Sequence, residues 1–108
     1  MTAILFLVQR LSAAVLAFAV AVHLATILYA VRGGLSAAEI LARTRGSIAW
    51  MAFYSVFVLA IAVHVPIGLR AILIEWLGWR SAARDAVLAA VSLLLLIFGG
   101  RAILGVFL

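Results

Sequence analysis

Apolar residues occupy the chain in three long runs that hold almost no charged side chain. Leu11–Val31 has no Asp, Glu, Lys or Arg over 21 residues, and Gly46–Leu69 has none over 24. Ala86–Leu108 is a third run of 23 residues, interrupted only by Arg101. About 20 apolar residues in a helix cross the hydrocarbon core of a bilayer, so each run is long enough to span a membrane. The pattern predicts an all-α membrane protein with three transmembrane helices at 4–31, 47–76 and 83–107.

Two short connections set the relative directions of these spans. Ser36-Ala-Ala-Glu39 in the first connection matches a capping box, which predicts a short interfacial helix over about 36–44. The second connection, from 77 to 85, is so brief that the second and third spans are expected to be antiparallel neighbours. The three helices then run up, down and up. Residues 1–108 are expected to form a single transmembrane domain.

Composition agrees with a membrane location and limits the chemistry. Hydrophobic residues make up 70% of the chain and charged residues 10%, against roughly 45–50% and 25% in average proteins. The net charge of +5 comes from arginines scattered between apolar runs, unlike the continuous basic patch of a nucleic-acid-binding protein. We therefore expect lipid headgroups and cofactor carboxylates as anionic partners, and no nucleic acid. The absence of Cys excludes disulfides, iron–sulfur clusters and covalent c-type haem.

Two histidines, His23 and His64, lie inside the first and second runs. Ionisable groups within a membrane are costly, which makes each a candidate for function. Neutral imidazole is a common ligand of metals, haem iron included. Ala19 and Ala60 precede the histidines by one turn and Gly68 follows His64 by one turn, so a flat macrocycle could approach the backbone there. The alternative is that each histidine bonds a neighbouring helix and that the small residues only promote helix packing.

Helical rise places the two histidines at different depths. His23 lies 8 residues before Val31 and His64 lies 16 residues after Ile48, so they are about 12 and about 24 Å inside the same face. Two axial ligands of one haem must face each other across the iron, so this chain is not expected to close a bis-histidine haem alone. Each histidine instead needs a second ligand from an identical chain or a sister subunit. Two such chains complete a haem-binding four-helix bundle with one haem near each face.

Arginines are candidate partners of haem propionates, because the guanidinium fork binds carboxylates in a bidentate way. Arg70, six residues after His64, is one candidate, and the others near the faces are Arg10, Arg32, Arg45 and Arg101. The alternative for each is a side chain that reaches the lipid phosphates. A quinone site near one face could draw its donors from Gln9, Arg10, Ser12 or Trp79.

Pro66 follows His64 by two residues and has no backbone N–H to donate. We expect it to kink the second helix and to leave the carbonyl of Ala62 free. The alternative is a proline that a membrane helix tolerates without special consequence.

The segment around His64 resembles a known family. His64-Val-Pro-Ile-Gly68-Leu69-Arg70, followed by Glu75-Trp76, resembles the H-x-x-x-G-[IL]-[RY] helix of the cytochrome b membrane anchors of succinate dehydrogenase and fumarate reductase. The stretch from Gln9 to Leu24, which contains His23, resembles the preceding helix of the dihaem type. The chain is thus similar to the C-terminal three-helix half of such a subunit. It departs from many single-haem anchors at Ala71, where they carry a histidine.

The resemblance implies a haem b-binding anchor of a succinate:quinone or fumarate-type oxidoreductase. Such a subunit transfers electrons between an iron–sulfur subunit and membrane quinone and assembles with a flavoprotein. The resemblance implies that His64 ligates the haem nearer the iron–sulfur subunit and His23 the farther haem, with Gly68 and Arg70 also in the cofactor-binding set. It also implies a bacterial inner (cytoplasmic) membrane and a cytoplasmic N-terminus, which an even count of arginines on the two sides cannot decide.

Two other functions remain open from the sequence. The repeated spacing of alanine four residues before histidine resembles bacteriochlorophyll sites, in which one histidine per magnesium suffices, so a pigment-binding antenna or photosystem accessory subunit is one alternative. A cofactor-free membrane assembly subunit is the other. The sequence has no Ser/His/Asp set, phosphate loop or carboxylate pair. The chain is therefore expected to be a non-catalytic electron-transfer subunit rather than a self-contained enzyme.

Overall fold

The computed structural model describes residues 2–108 and contains four helices joined by short turns. Their bounds are Ala3–Gly33 (α1), Ala37–Thr44 (α2), Ile48–Leu77 (α3) and Ala82–Phe107 (α4). The three long helices are each long and apolar enough to cross a membrane. The predicted all-α class, the three spans and the short helix are confirmed, and each end lies within two residues of its expected position. Met1, the first residue of the expected domain, lies outside the described residues.

α3 is the central helix and packs against both α1 and α4. α1 and α4 begin, and α3 ends, at one end of the bundle, which we call the N-terminal end. The opposite end, called the α2 end, contains α2 together with the last turns of α1 and α4. The up-down-up order is as predicted. The molecule extends over 48 × 22 × 22 Å, so its long axis is close to the roughly 40–45 Å of a bilayer with its headgroups.

Local residues define where α2 begins and where α3 ends. The Ser36 hydroxyl accepts the Glu39 N–H at 3.2 Å and donates to the Glu39 carboxylate at 2.7 Å. The predicted N-cap therefore forms. The Glu39 carboxylate, however, bonds the Ser36 hydroxyl and not the Ser36 backbone N–H of a complete capping box. α3 ends at Leu77, and its C-cap Gly78 has a φ of 64°, the left-handed conformation that glycine adopts without strain. The Gly78 N–H donates to the Ile74 carbonyl at 3.1 Å.

α2 also holds the last turn of α4. The Thr44 hydroxyl donates to the Val106 carbonyl, and the Gly46 N–H donates to the Phe107 carbonyl, both at 2.8 Å. The last turn of a helix leaves carbonyls without an intrahelical partner, and these two bonds satisfy two of them. The α2 end is therefore tied together across segments that are far apart in sequence.

A hydrogen bond from α4 compensates for the proline in α3. Pro66 lies inside the helix and offers no N–H to the carbonyl of Ala62. Ser92 of α4 donates its hydroxyl to that carbonyl at 2.8 Å. Ala62 is only 4% exposed, so the bond satisfies a carbonyl that water does not reach. The carbonyl is thus free within α3, as predicted, and a kink at Pro66 stays a prediction.

The bundle buries little of its apolar surface. Among the described residues, the hydrophobic side chains that are less than a tenth exposed are Ala19, Ala62 and Leu88. Large side chains on the outer faces remain open, with Phe18 69% and Trp76 81% exposed. Water-soluble monomers rarely expose such continuous apolar surface, whereas lipid covers it in a bilayer. The chain is a multi-pass membrane protein.

Candidate cofactor-binding site

Aromatic rings hold the His23 side chain in place. His23 lies ten residues before the end of α1 and meets α3. Its ring packs edge-on against Tyr54, with centroids 5.9 Å apart, and against Phe57, with centroids 5.6 Å apart. Its Nδ1 is buried and has no hydrogen-bond partner among residues 2–108. The ring is therefore positioned by aromatic contacts, and no group among residues 2–108 occupies its Nδ1.

His23 lines a cavity of about 830 Å³ at the α2 end of the bundle. All four helices contribute to its wall. α3 supplies the aromatic rings of Trp50, Tyr54 and Phe57, and α4 supplies small and aliphatic residues that include Ala102. The volume lies within the range of roughly 300–1,000 Å³ that is typical of ligand and cofactor sites, which are likewise mostly apolar with a few polar groups.

His64 has different surroundings and is not among the residues that line this cavity. Its Nδ1 lies 3.3 Å from the Oγ of Ser12 on α1. The Ser12 hydroxyl donates to the Gln9 carbonyl at 3.0 Å. A hydroxyl has a single proton to donate, so this arrangement has the imidazole donate from Nδ1 to Ser12. The lone pair of His64 then lies on Nε2.

The structure brings Gly68 close to a side chain of α1, and no carboxylate among residues 2–108 pairs with Arg70. A Cβ built on Gly68 would lie 3.4 Å from the Gln9 Nε2, so the end of the Gln9 side chain lies against α3 one turn after His64. Arg70 is half-buried in the last third of α3. Within residues 2–108 the single ion pair joins Arg84 to Asp85.

The two histidines lie at different levels of the bundle, in agreement with the depths expected from the sequence. His23 contacts the seventh and tenth residues of α3, whereas His64 is the seventeenth. This separation of 7–10 residues corresponds to about 10–15 Å along the helix axis. Within one chain the structure therefore does not bring His23 and His64 together.

Arg43 is a cavity residue that the sequence did not single out. It lines the cavity with His23, and its Nη2 donates to the Gly34 carbonyl at 3.1 Å. The guanidinium carbon lies 5.6 Å from the centroid of the Tyr29 ring. The candidates considered from the sequence on either side of it, Arg32 and Arg45, are exposed and do not line the cavity.

The spacing of residues along α2 is the sequence feature that could have identified Arg43. Ile40, Arg43 and Thr44 are spaced at i, i+3 and i+4, so they share one helix face. All three line the cavity. The apolar residue and the hydroxyl on this face mark it as the side that packs on the bundle.

The remaining candidate cations and donors lie apart from the cavity. Arg10 is at the N-terminal end, with its guanidinium carbon 5.7 Å from the centroid of the Phe6 ring. Arg101 is exposed on α4. The Trp79 indole N–H donates to the Ser81 hydroxyl at 2.6 Å. None of these side chains lines the cavity beside His23.

Comparison with known proteins identifies the family. The model of the succinate dehydrogenase/fumarate reductase transmembrane subunit matches residues 1–100. No curated protein and no solved structure matches the chain. The matched region contains both histidines and α1, α2 and α3 in full, together with most of α4. The chain belongs to the succinate dehydrogenase/fumarate reductase transmembrane subunit family.

Proposed function

We propose that the chain is the haem b-binding membrane anchor of a succinate:quinone or fumarate-type oxidoreductase. It carries electrons between an iron–sulfur subunit and membrane quinone, and a flavoprotein subunit performs the substrate chemistry. Family membership supports a role as the membrane subunit of such a complex. The family is generally haem b-binding, which agrees with imidazole as the candidate ligand in this chain.

The observation that carries the proposal is the free imidazole of His23 beside an apolar cavity. A haem b supplies reversible one-electron transfer at its iron when it is bound. His23 would hold that iron through a ring nitrogen, and the rings of Tyr54 and Phe57 fix the plane of the imidazole. The mostly apolar wall of the cavity would limit the contact of water with this nitrogen. The residues present therefore fit the group that the family implies.

His64 fits the same role through a different device. Its Nδ1 bonds Ser12, which orients the ring and leaves Nε2 to bind iron. Histidines that ligate metals commonly use the second ring nitrogen in this way. Gly68 has no side chain one turn further along α3, where the Gln9 side chain lies against it. Arg70 would provide a cation for a propionate carboxylate at the N-terminal end.

A second histidine for each haem would come from another chain. The separation of His23 and His64 along α3 supports this, since one chain cannot offer both to the same iron. In a two-fold homodimer each histidine meets its own copy, whereas a sister subunit would supply two histidines of its own. Either partner completes a four-helix bundle in which α1 and α3 of this chain form one half.

We also propose the orientation of the chain. The chain lies in the inner membrane of a bacterium. Its N-terminal end faces the cytoplasm, on the side of the iron–sulfur subunit. His64 then ligates the haem nearer that subunit, and His23 ligates the haem nearer the opposite face. Arginines near both faces contact lipid phosphates in addition to the cofactor carboxylates.

The test is haem content and the reduced-minus-oxidised spectrum of the purified complex. We expect one haem b per chain in a homodimer, and His23→Ala and His64→Ala are expected to remove different haems. Leu24→Ala and Val65→Ala are matched controls, because each truncates the neighbouring residue on the same helix. Both control variants should keep the full haem content.

Three results would contradict parts of the proposal. A wild-type complex without haem would overturn it, and far-red pigment bands in its place would favour a pigment-binding subunit. The absence of both kinds of band would favour an assembly subunit. Loss of the same single haem in both histidine variants would overturn the assignment of one haem to each level.

A further inference from the structure

The cavity beside His23 contains one formal charge, and it lies on α2. Of the described residues that line the cavity, Arg43 is the only Arg, Lys, Asp or Glu. The other lining groups are apolar or carry neutral dipoles. A single cation in an apolar wall restricts where the charged edge of a bound molecule can lie.

The bonds of Arg43 leave most of its hydrogen-bonding capacity free. A guanidinium carries five N–H donors. One of them reaches the Gly34 carbonyl, and the face of the group lies over the Tyr29 ring. The side chain is half-buried, and no carboxylate within residues 2–108 pairs with it. A guanidinium held in this way is oriented before any ligand arrives.

The position of Arg43 relative to His23 matches a molecule with a metal at its centre and carboxylates at its edge. Arg43 contacts α1 at Tyr29, six residues after His23, which is about 9 Å along the helix axis. This distance is comparable with the span from the centre of a porphyrin to its propionate carboxylates. Imidazole and guanidinium line the same cavity and differ in level by about this distance along α1.

We propose that Arg43 binds a propionate carboxylate of the haem whose iron His23 ligates, so that the propionate edge of that haem faces α2. This inference rests on the proposed function and adds a residue and an orientation to it. α2 then serves as the side of the site that recognises the carboxylate. A purely structural role for Arg43, as a cap on the last turn of α1 through Gly34, is the alternative that the test must separate.

The first measurement compares Arg43→Gln with Arg43→Lys in the purified complex. Arg43→Gln removes the cation but keeps an amide that can donate to Gly34. We expect it to release the His23-dependent haem about tenfold faster or more, because a charge-assisted hydrogen bond is lost. The midpoint potential of that haem should fall, since a nearby cation favours the reduced form. Arg43→Lys keeps a cation, so the midpoint potential of this haem should stay close to the wild-type value. Arg45→Gln, at an exposed position, is the matched control.

The second measurement removes the charge from the ligand instead of the protein. Complexes are assembled in cells that cannot make haem and are supplied with haem b or with its dimethyl ester. The wild type should hold the ester about as weakly as Arg43→Gln holds haem b. Arg43→Gln should not distinguish the two ligands at the His23 site, because the partner of the carboxylate is already absent.

The outcomes separate the inference from the proposed function. If His23→Ala removes no haem, the assignment of His23 fails, and the inference about Arg43 is overturned with it. If His23→Ala removes a haem but Arg43→Gln behaves like Arg45→Gln in haem release and potential, the role of Arg43 is overturned. A lower thermal stability of Arg43→Gln with an unchanged potential and an unchanged preference for haem b over the ester would likewise assign Arg43 to the structural cap.

Discussion

His23 and His64 occupy helices of similar composition, yet their surroundings differ in space and in the way the ring is held. His23 lies beside a cavity of about 830 Å³ and makes T-shaped contacts with two aromatic rings. His64 lies where α1 approaches α3 closely, and its Nδ1 lies 3.3 Å from a buried serine. The His23 imidazole is positioned by packing against aromatic rings, and the His64 imidazole is positioned by a hydrogen bond.

This difference bears on how each site reaches its final form. Most of the space for a ligand beside His23 exists within one chain, because all four helices line it. On the His64 side of α3, Ser12 lies 3.3 Å from the imidazole and the Gln9 side chain lies against Gly68. In the proposed function, the partner chain therefore contributes more of the wall at the His64 site than at the His23 site.

Filling the cavity is expected to produce the largest difference between the two sites. Ala30→Trp places an indole in the cavity and should abolish the haem that depends on His23, because an overfilled site cannot relax without strain. The haem that depends on His64 should be retained. Leu28→Trp, on the same helix at a position 63% exposed, is the control. Haem content per chain is the measurement, and full retention of both haems in Ala30→Trp would show that the cavity is not the site.

Removing the Ser12 hydroxyl should affect the other site, so that only the haem that depends on His64 changes. Ser12→Ala deletes the oxygen that accepts from Nδ1, and loss of such a partner typically weakens metal binding 10–100-fold. The low-temperature electron paramagnetic resonance signal of the His64-dependent haem should change, while the signal of the His23-dependent haem should not. Ser12→Thr keeps a hydroxyl and should restore the wild-type signal. Equal changes at both haems would indicate a general loss of packing.

The smallest expected effect concerns the carbonyl that Pro66 leaves free. Ser92→Ala removes its hydrogen bond and should lower the free energy of unfolding by about 1 kcal/mol, the scale of interhelical hydrogen bonds in membranes. Pro66→Ala supplies a backbone N–H in its place, so the double variant should recover part of that loss. Reversible unfolding in mixed micelles measures all four proteins. Strictly additive effects would mean that the two residues do not share the Ala62 carbonyl.

The sequence was sufficient for the helices but not for the way they face one another. The charge-free runs, the Ser36 cap and the missing N–H of Pro66 are local features, and the structure confirms each. The identity of Ser92 as the compensating donor depends on the register of α4 against α3. That register is not encoded in hydropathy, because apolar residues surround each spanning helix and leave no periodic polar face.

The features of the candidate site likewise fall into those that the sequence predicts and those that depend on how the helices pack. Histidine in an apolar run was visible in the sequence, and so was the difference in depth that follows from helical rise. The cavity, the contact of His64 with Ser12 and the position of Arg43 all require two or more helices to be placed together. The arginines considered from the sequence were chosen by their distance from the histidines along the chain. That criterion did not select Arg43, which lies on the face of α2 that packs on the bundle.

The hydrogen bonds that join the α2 segment to the end of α4 have a consequence for biosynthesis. Thr44 and Gly46 bond carbonyls about 60 residues further along the chain, and α4 emerges from the ribosome after the other three helices. The fourth wall of the cavity is therefore added only when α4 has entered the membrane. Until then the groove beside His23 is open along its length, which gives a hydrophobic cofactor a wider path of entry than the finished bundle offers.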